Sequence, residues 1–227
     1  MERELCSFHF KNMGERLKRD FYTRDTLLVA KELLGKYIVR KIGKRFLVVG
    51  KIVETEAYIG PEDKASHSYQ WKVTKRNLAE FLEGGHIYIY LCYGMYWQLN
   101  ITTSLNCTPE CVLIRAIEPI IKSKDFGDSK YQAPNPKQIL NSNDQNSKKI
   151  INLANGPGKV CKWLKLNRSF YGEDLVESKK IWLEQGEKVK NSEIVKSKRI
   201  GIDYAGSWRH KLWRFYIKNN PFVSVKK

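Results

Sequence analysis

HIYIYLCYGMYWQLNITT, residues 86–103, is the stretch on which the reading of this chain turns. His86 to Tyr93 and Tyr96 to Thr102 are rich in the β-branched and aromatic residues that suit a pleated, half-buried surface, and Gly94-Met95 between them supplies a hairpin turn. Upstream, Gly43-Lys44 separates Lys36–Ile42 from Arg45–Glu56, a second hairpin rich in Val and Ile. Downstream, Cys111–Ile117 reads as a strand ended by Pro119, and Ile194–Ile202, Leu212–Ile217 and Val223–Val225 read as later strands. Helical signals are fewer. Thr23–Leu34 has Thr23 or Asp25 as its cap, an apolar face of Leu27, Leu28, Ala30, Leu33 and Leu34, and Gly35 as its stop. Asn77–Leu82 reads as a short helix closed by Gly84-Gly85, and Asn155–Leu166 as a loop followed by another. Strands outnumber helices and short turns join them. The pattern predicts an α+β fold, a single domain around a curved, mainly antiparallel β-sheet with flanking helices.

Residues 20–227 are expected to form that domain, with 1–19 as an N-terminal extension. Lys122–Lys149 is poor in large apolar residues, rich in Lys, Asn, Ser and Asp, and holds Pro134 and Pro136, which predicts a loop insertion.

Composition narrows the function. Hydrophobic residues make up 42% of the 227 and aromatics 12%, enough for a sizeable core and against wholesale disorder. No apolar run is long enough to span a bilayer, and the first twenty residues lack an uninterrupted apolar signal core. The expectation is a cytoplasmic protein, nucleoid-associated if bacterial, with no membrane partner. Lys and Arg number 41 against 24 Asp and Glu, a formal charge of +17 that suits a polyanion. A lysine-rich surface without a particular partner gives the same count, so charge acquires meaning only beside the aromatics. Cys6, Cys92, Cys107, Cys111 and Cys161 form no even disulfide framework, and Cys107 and Cys111 have no second Cys/His pair to complete a zinc site. The cysteines read as reduced thiols and no metal is expected.

Candidate chemistry begins in VETEAY, residues 53–58. Strand residues two apart share a face, so Glu54 and Glu56 lie on one side about 6.6 Å apart, with Tyr58 beside them if the strand continues. Two carboxylates so placed suit glycosidic cleavage, one of them activating water, or serve as ion-pair partners on a half-exposed strand. Tyr88 and Tyr90 share a strand face. Cross-strand packing accounts for Tyr88, whereas Tyr93 sits at a hairpin tip where no core residue belongs and suits stacking on an unpaired base. His67 falls in the loop GPEDKASHS, residues 60–68, off any apolar face. Asn100 and Arg115 fall in strands that should be interior, and a buried arginine calls for a carboxylate such as Glu56.

VETEAYIGPEDKASHS, IYIYLCYGMYWQLNI, VLIRAIEP, NGPGKVCKWL and RFYIKNNPFVSV, in that order, closely resemble the alkyladenine (3-methyladenine, methylpurine) DNA glycosylase family over most of the chain from about Asp20 to Val225. The resemblance implies a monofunctional base-excision repair enzyme that flips damaged purines out of double-stranded DNA and hydrolyses the N-glycosidic bond as a monomer, without cofactor. It implies Glu56 as the base for water, with Arg115 and the Ile200 carbonyl completing the catalytic set. Tyr58, His67 and Tyr90 would sandwich the base, bordered by Asn100 and Leu113. Tyr93 would intercalate, with Met95 and Tyr96 against the DNA. A single base suffices for a methylated purine, which leaves Glu54 as a structural ion-pair partner. Two readings compete from the residues alone: a non-catalytic nucleic-acid-binding module that stacks bases on the hairpin, and a carbohydrate glycosidase using Glu54 and Glu56.

Overall fold

Two strands of fourteen residues, β2 (Phe46–Ile59) and β5 (Glu110–Ser123), pair antiparallel along their whole length and form the spine of the protein. The computed structural model describes residues 14–43, 46–105, 107–123 and 151–225. Around the spine lie β1 (Tyr37–Ile42), β3 (Ile87–Cys92), β4 (Tyr96–Thr102), β6 (Ile181–Glu184), β7 (Ile194–Ser197) and β8 (Arg214–Ile217). The sheet runs β3-β4-β5-β2-β1-β6, and β8 joins the other half of β2 with β7 outside it. All of these pairings are antiparallel, and the sheet curls into a half-barrel. The α+β single domain read from the sequence is the observed one. Among the described residues no helix is long and apolar enough to cross a membrane.

Alternation along the strands sorts side chains onto two faces. Ile87, Ile89, Leu99, Ile101, Val112, Ile114 and Ala57 point to the main core with Leu33, Leu34, Val160, Leu164 and Phe215. That face is covered by α2 (Thr26–Glu32), which follows the short helix α1 (Arg19–Tyr22), and by α3 (Pro157–Trp163). Asp25 caps α2 by accepting from the Leu28 N–H at 2.7 Å, and Thr55 on β2 donates to the Ala30 carbonyl at 2.7 Å. At the outer edge, the Leu17 N–H donates to the Leu183 carbonyl and Arg16 bridges to Glu184, and Leu17 itself is buried. The opposite face carries Tyr58, Tyr88, Tyr90, Asn100 and Leu113, and it is left for function.

Several boundaries differ from those read in the sequence, each for a local reason. Helix Thr23–Leu34 is shorter, because Asp25 and not Thr23 supplies the cap. Asn77–Leu82 forms a 3-10 turn over Leu78–Phe81. Strand β5 runs past Pro119 instead of stopping there. The Ile117 N–H points away from β2 to the Ala154 carbonyl, and Pro119, two residues on, faces the same way, so its missing N–H costs no ladder bond. Strand β6 escaped notice because IWLE is short and set among polar residues. The expected strand Ile194–Ile202 ends at Ser197, and Val223–Val225 forms no strand; the backbone N–H groups of Ile200 and Ser224 are spent on Glu56 and Glu54 instead. Of the loop expected over Lys122–Lys149, residues 124–149 lie outside the described residues.

Candidate active site

Register places four residues from four strands in one line. Tyr88 on β3 pairs with Asn100 on β4, Asn100 with Leu113 on β5, and Leu113 with Glu56 on β2. Directly opposed residues of an antiparallel sheet share a face with strands about 4.8 Å apart, so the row crosses the sheet as a continuous wall. Beside it the spine is irregular twice. Ile52 pairs with Ile117 but Glu54 with Ala116, so Val53 is an extra residue on β2. Thr55 then pairs with Ile114, so Arg115 is an extra residue on β5. The two bulges cancel, and the register resumes. Arg115 lies two residues from Leu113, the partner of Glu56, so strand alternation sets it on the face of Glu54 and Glu56, and the paired bulges leave it unpaired between them.

Arg115 bridges the two carboxylates. Its Nε lies 3.1 Å from Glu54 Oε1 and its Nη1 3.2 Å from Glu56 Oε2, with both glutamates fully buried. Their further partners separate them. Glu54 also accepts from Arg214 Nη1 at 2.9 Å, Ser224 Oγ at 2.9 Å and the Ser224 N–H at 2.7 Å, which ties down the C-terminal segment. Glu56 accepts the Ile200 N–H at 2.8 Å on Oε1 and the Tyr58 hydroxyl at 3.0 Å on Oε2. Burial raises the Glu56 pKa above the ordinary carboxylate range, although Arg115, the Ile200 N–H and Tyr58 all oppose it. Burial alone would lower the Arg115 pKa, but Glu56 and Glu54 outweigh it and hold the guanidinium charged. The contact from Ile200 to Glu56 runs through its N–H.

The Ile200 segment is held from below. Arg199 forms a buried bidentate pair with Asp63, its Nη2 2.9 Å from Oδ1 and its Nη1 on Oδ2, and Nη1 also donates to the Ala57 carbonyl at 3.0 Å. Its guanidinium lies 4.7 Å from the centre of the Tyr58 ring and 5.0 Å from that of Trp213. This places Tyr58 and the Ile200 N–H on either side of the Glu56 carboxylate.

Beside this cluster opens a cavity of about 450 Å³, within the usual range for small-molecule sites, with Glu56 itself fully buried behind the Tyr58, Arg115 and Ile200 that line it. Tyr58, His67, Tyr90, Asn100, Leu113, Arg115 and Ile200 all line it, so the structure brings together the residues expected to hold a base and the groups around Glu56. His67 stands edge-on to Tyr90 with ring centres 4.7 Å apart, and its Nδ1 lies 2.7 Å from the Tyr88 hydroxyl. Tyr88 is buried, as packing predicted, and also orients His67. Burial, with Arg76 and Lys72 nearby, pushes the His67 pKa down to about 4, so the ring is neutral at physiological pH. The Tyr90 hydroxyl donates to Gln98 Oε1 at 2.9 Å. Sequence reasoning missed Glu80, Tyr204 and the Asp63–Arg199 pair at this site. Only Asp63, inside the loop already singled out, carried a signal.

The hairpin tip is a separate feature. Cys92 pairs with Tyr96, leaving Tyr93, Gly94 and Met95 as the loop, closed by the Met95 N–H donating to the Cys92 carbonyl at 3.1 Å. Tyr93 has φ 50° and Gly94 φ 69°, so the left-handed turn is centred on Tyr93-Gly94, not Gly94-Met95. A left-handed conformation is natural for glycine and costs a bulky residue about 1–2 kcal/mol. Tyr93 is nevertheless 87% exposed, and Met95 at 67% and Tyr96 at 54% stand in solvent beside it. Tyr93 also borders the cavity mouth. Gly158 of α3 lies directly under Tyr96, where an added Cβ would come within 3.0 Å of that ring.

Among the described residues no three His, Cys, Asp or Glu side chains gather into a metal-holding group. A carboxylate held under an aromatic cage, on a chain of charge +17, is the equipment of a DNA glycosylase. Known proteins agree. The family model described as methylpurine-DNA glycosylase (MPG) matches residues 20–221. A Clostridium novyi protein named "Putative 3-methyladenine DNA glycosylase" is 45% identical over 212 residues, covering 93% of this chain and 100% of its own length. Proteins of the same name from Natranaerobius thermophilus and Clostridium perfringens are 42% and 45% identical, covering 92% and 93% of this chain and 99% and 100% of their own lengths. The chain belongs to the methylpurine-DNA glycosylase family.

Proposed function

We propose that this enzyme flips alkylated and deaminated purines out of duplex DNA into the cavity of Tyr58, His67 and Tyr90, and that Glu56 activates the water that displaces the base. The observation that carries the proposal is the coordination of Glu56. A carboxylate offers about four acceptor sites, and Arg115, Tyr58 and the Ile200 N–H occupy three. One is left for water. Glu56 takes a proton from that water, its oxygen attacks C1′, and the C1′–N9 pair leaves with the purine, giving a free base and an abasic site. A raised Glu56 pKa makes the carboxylate a better base at neutral pH.

A purine methylated at N3 or N7 already carries positive charge and leaves without an added proton. Electron-rich rings attract such a base, and a neutral His67 does not repel it. Neutral lesions such as hypoxanthine need protonation, so their excision should depend more on pH. Among the described residues the cavity lining holds no lysine, in keeping with direct attack by water and a monofunctional enzyme. The strained, exposed Tyr93 suits the gap left by the flipped nucleotide, with Met95 and Tyr96 against the duplex. The test is single-turnover excision from duplexes carrying hypoxanthine or 7-methylguanine, comparing wild type with Glu56→Gln. Wild type should release free base and leave an intact abasic strand, while Glu56→Gln binds the same duplex and releases nothing. Full turnover by Glu56→Gln would end the role given to Glu56.

A further inference from the structure

The cavity holds a second buried carboxyl that the cleavage step does not use. Glu80 projects from the 3-10 turn Leu78–Phe81, which packs against β3, β4 and β5, and lines the cavity while only 2% exposed. Its surroundings differ from those of the other buried acids near the site. Glu54, Glu56 and Asp63 each face an arginine at ion-pair distance. The hydrogen-bond partners of Glu80 among the described residues are neutral: the Ser68 hydroxyl donates to Oε2, the Cys111 thiol lies 3.8 Å from Oε1, and the Asn77 side chain also bonds to the carboxyl. Asn77 supports the arrangement by donating to Ser68 Oγ at 3.2 Å, and Cys111 also lies 3.9 Å from Asn100 Oδ1. A carboxyl without a paired cation, at the wall of a cavity built for a flat ring, has an unmet electrostatic demand that a ligand can meet.

We propose that Glu80 sets the choice between cationic and neutral purines: ionised, its carboxylate attracts a positively charged methylated base, and protonated, it donates a hydrogen bond to an acceptor on an uncharged one. The proposal rests on the cavity being the purine site. Both forms are available at working pH, because burial pushes the Glu80 pKa up to about 7 against the opposing effects of Ser68, Asn77, Cys111 and Arg76. The neighbouring titratable groups hold one state there. Tyr88 from β3, Cys111 from β5 and Tyr171 are all raised by burial and stay protonated, and β4 presents the non-titrating Asn100. Arg76 is the nearby cation, engaged with the Leu91 carbonyl at 3.2 Å and the Tyr90 ring at 4.8 Å. Glu80 is therefore a group on the cavity wall whose charge changes near neutrality.

The experiment measures single-turnover excision of 7-methylguanine and of hypoxanthine from otherwise identical duplexes between pH 5.5 and 8.5. Taking the ratio of the two rates cancels the dependence on Glu56 that both substrates share. In wild type the ratio should rise about tenfold through neutrality, the effect of one opposite charge within a few ångströms. In Glu80→Gln the step should shrink to what the substrates' own titrations supply, the protonation of hypoxanthine and the loss of the N1 proton from 7-methylguanine. Ser68→Ala provides a milder second variant. It removes a donor to the carboxylate, so the step should move to higher pH, and it carries the test if Glu80→Gln does not fold. An unchanged step in a folded Glu80→Gln, or an unmoved one in Ser68→Ala, overturns the proposal. Release of no base by the wild type overturns the reading of the cavity instead, so the two failures are distinct.

Discussion

Replacing Arg115 by Met removes the cation shared by two buried carboxylates while keeping most of the side-chain volume. At about 3 Å a pair of unit charges is worth roughly 5 kcal/mol at an effective dielectric of 20, and removing one partner of a buried pair costs about 3–5 kcal/mol in practice. The loss falls unevenly. Glu54 keeps Arg214 at 2.9 Å and two donors from Ser224, whereas Glu56 keeps only Tyr58 and the Ile200 N–H. Arg115→Met should therefore cost about 3 kcal/mol at pH 8.5, nearly all of it through Glu56. The sign with pH follows. Without Arg115 the folded-state pKa of Glu56 rises further above its unfolded value of about 4.3, so the folded variant binds the extra proton and the deficit shrinks as pH falls. Urea denaturation at pH 5.5 and 8.5 measures this, in the wild-type and Glu56→Gln backgrounds. The cost of Arg115→Met should fall by half or more when residue 56 is uncharged. The same cost in both backgrounds and at both pH values would refute the argument that charge pairing with Glu56 is what Arg115 supplies.

Tyr93→Gly relieves the left-handed strain at the hairpin tip and should raise stability by about 1 kcal/mol while weakening binding to lesion duplex about tenfold; calorimetry and a binding titration give the two readouts. His67 has its pKa lowered, so its contribution to stability is complete above pH 6.5 and is lost as pH falls from there toward 4. The stability difference between wild type and His67→Gln should therefore shrink across that window in urea titrations, and a constant difference would contradict a neutral, buried His67. Affinity for undamaged duplex should drop steeply between 50 and about 200 mM salt if the charge of +17 is spent on phosphates, and a flat salt response would show that it is not.

The hairpin β3–β4 and the core were legible because period-two alternation is a local signal: Ile87 and Ile89 face the core while Tyr88 and Tyr90 face the site. The pairing of Glu56 with Tyr58 on one strand face followed from the same rule. What failed were features that depend on a partner strand or loop. Pro119 reads as a stop unless it is known that its backbone nitrogen faces away from β2. The segments after Ser197 and around Val223 look like strands until Glu56 and Glu54 are seen to take their N–H groups. Glu80 offered no signal at all, since an isolated glutamate on a short helical turn is ordinarily a solvated surface residue.

By itself, the sequence determined the class of fold, the two faces of its strands, and the motifs that place the chain with the methylpurine-DNA glycosylases. Strand periodicity and turn residues act over a few positions, so they survive without the rest of the molecule. Which of the two glutamates anchors the C-terminal segment and which sits beside the cavity wall was decided only by tertiary structure. Glu54 and Glu56 are identical in type, strand and face. They differ because Arg214 and Ser224 gather on one, while Arg115, Tyr58 and the returning Ile200 segment hold the other. Apart from Tyr58, those groups lie more than fifty residues away along the chain, beyond the reach of any local pattern.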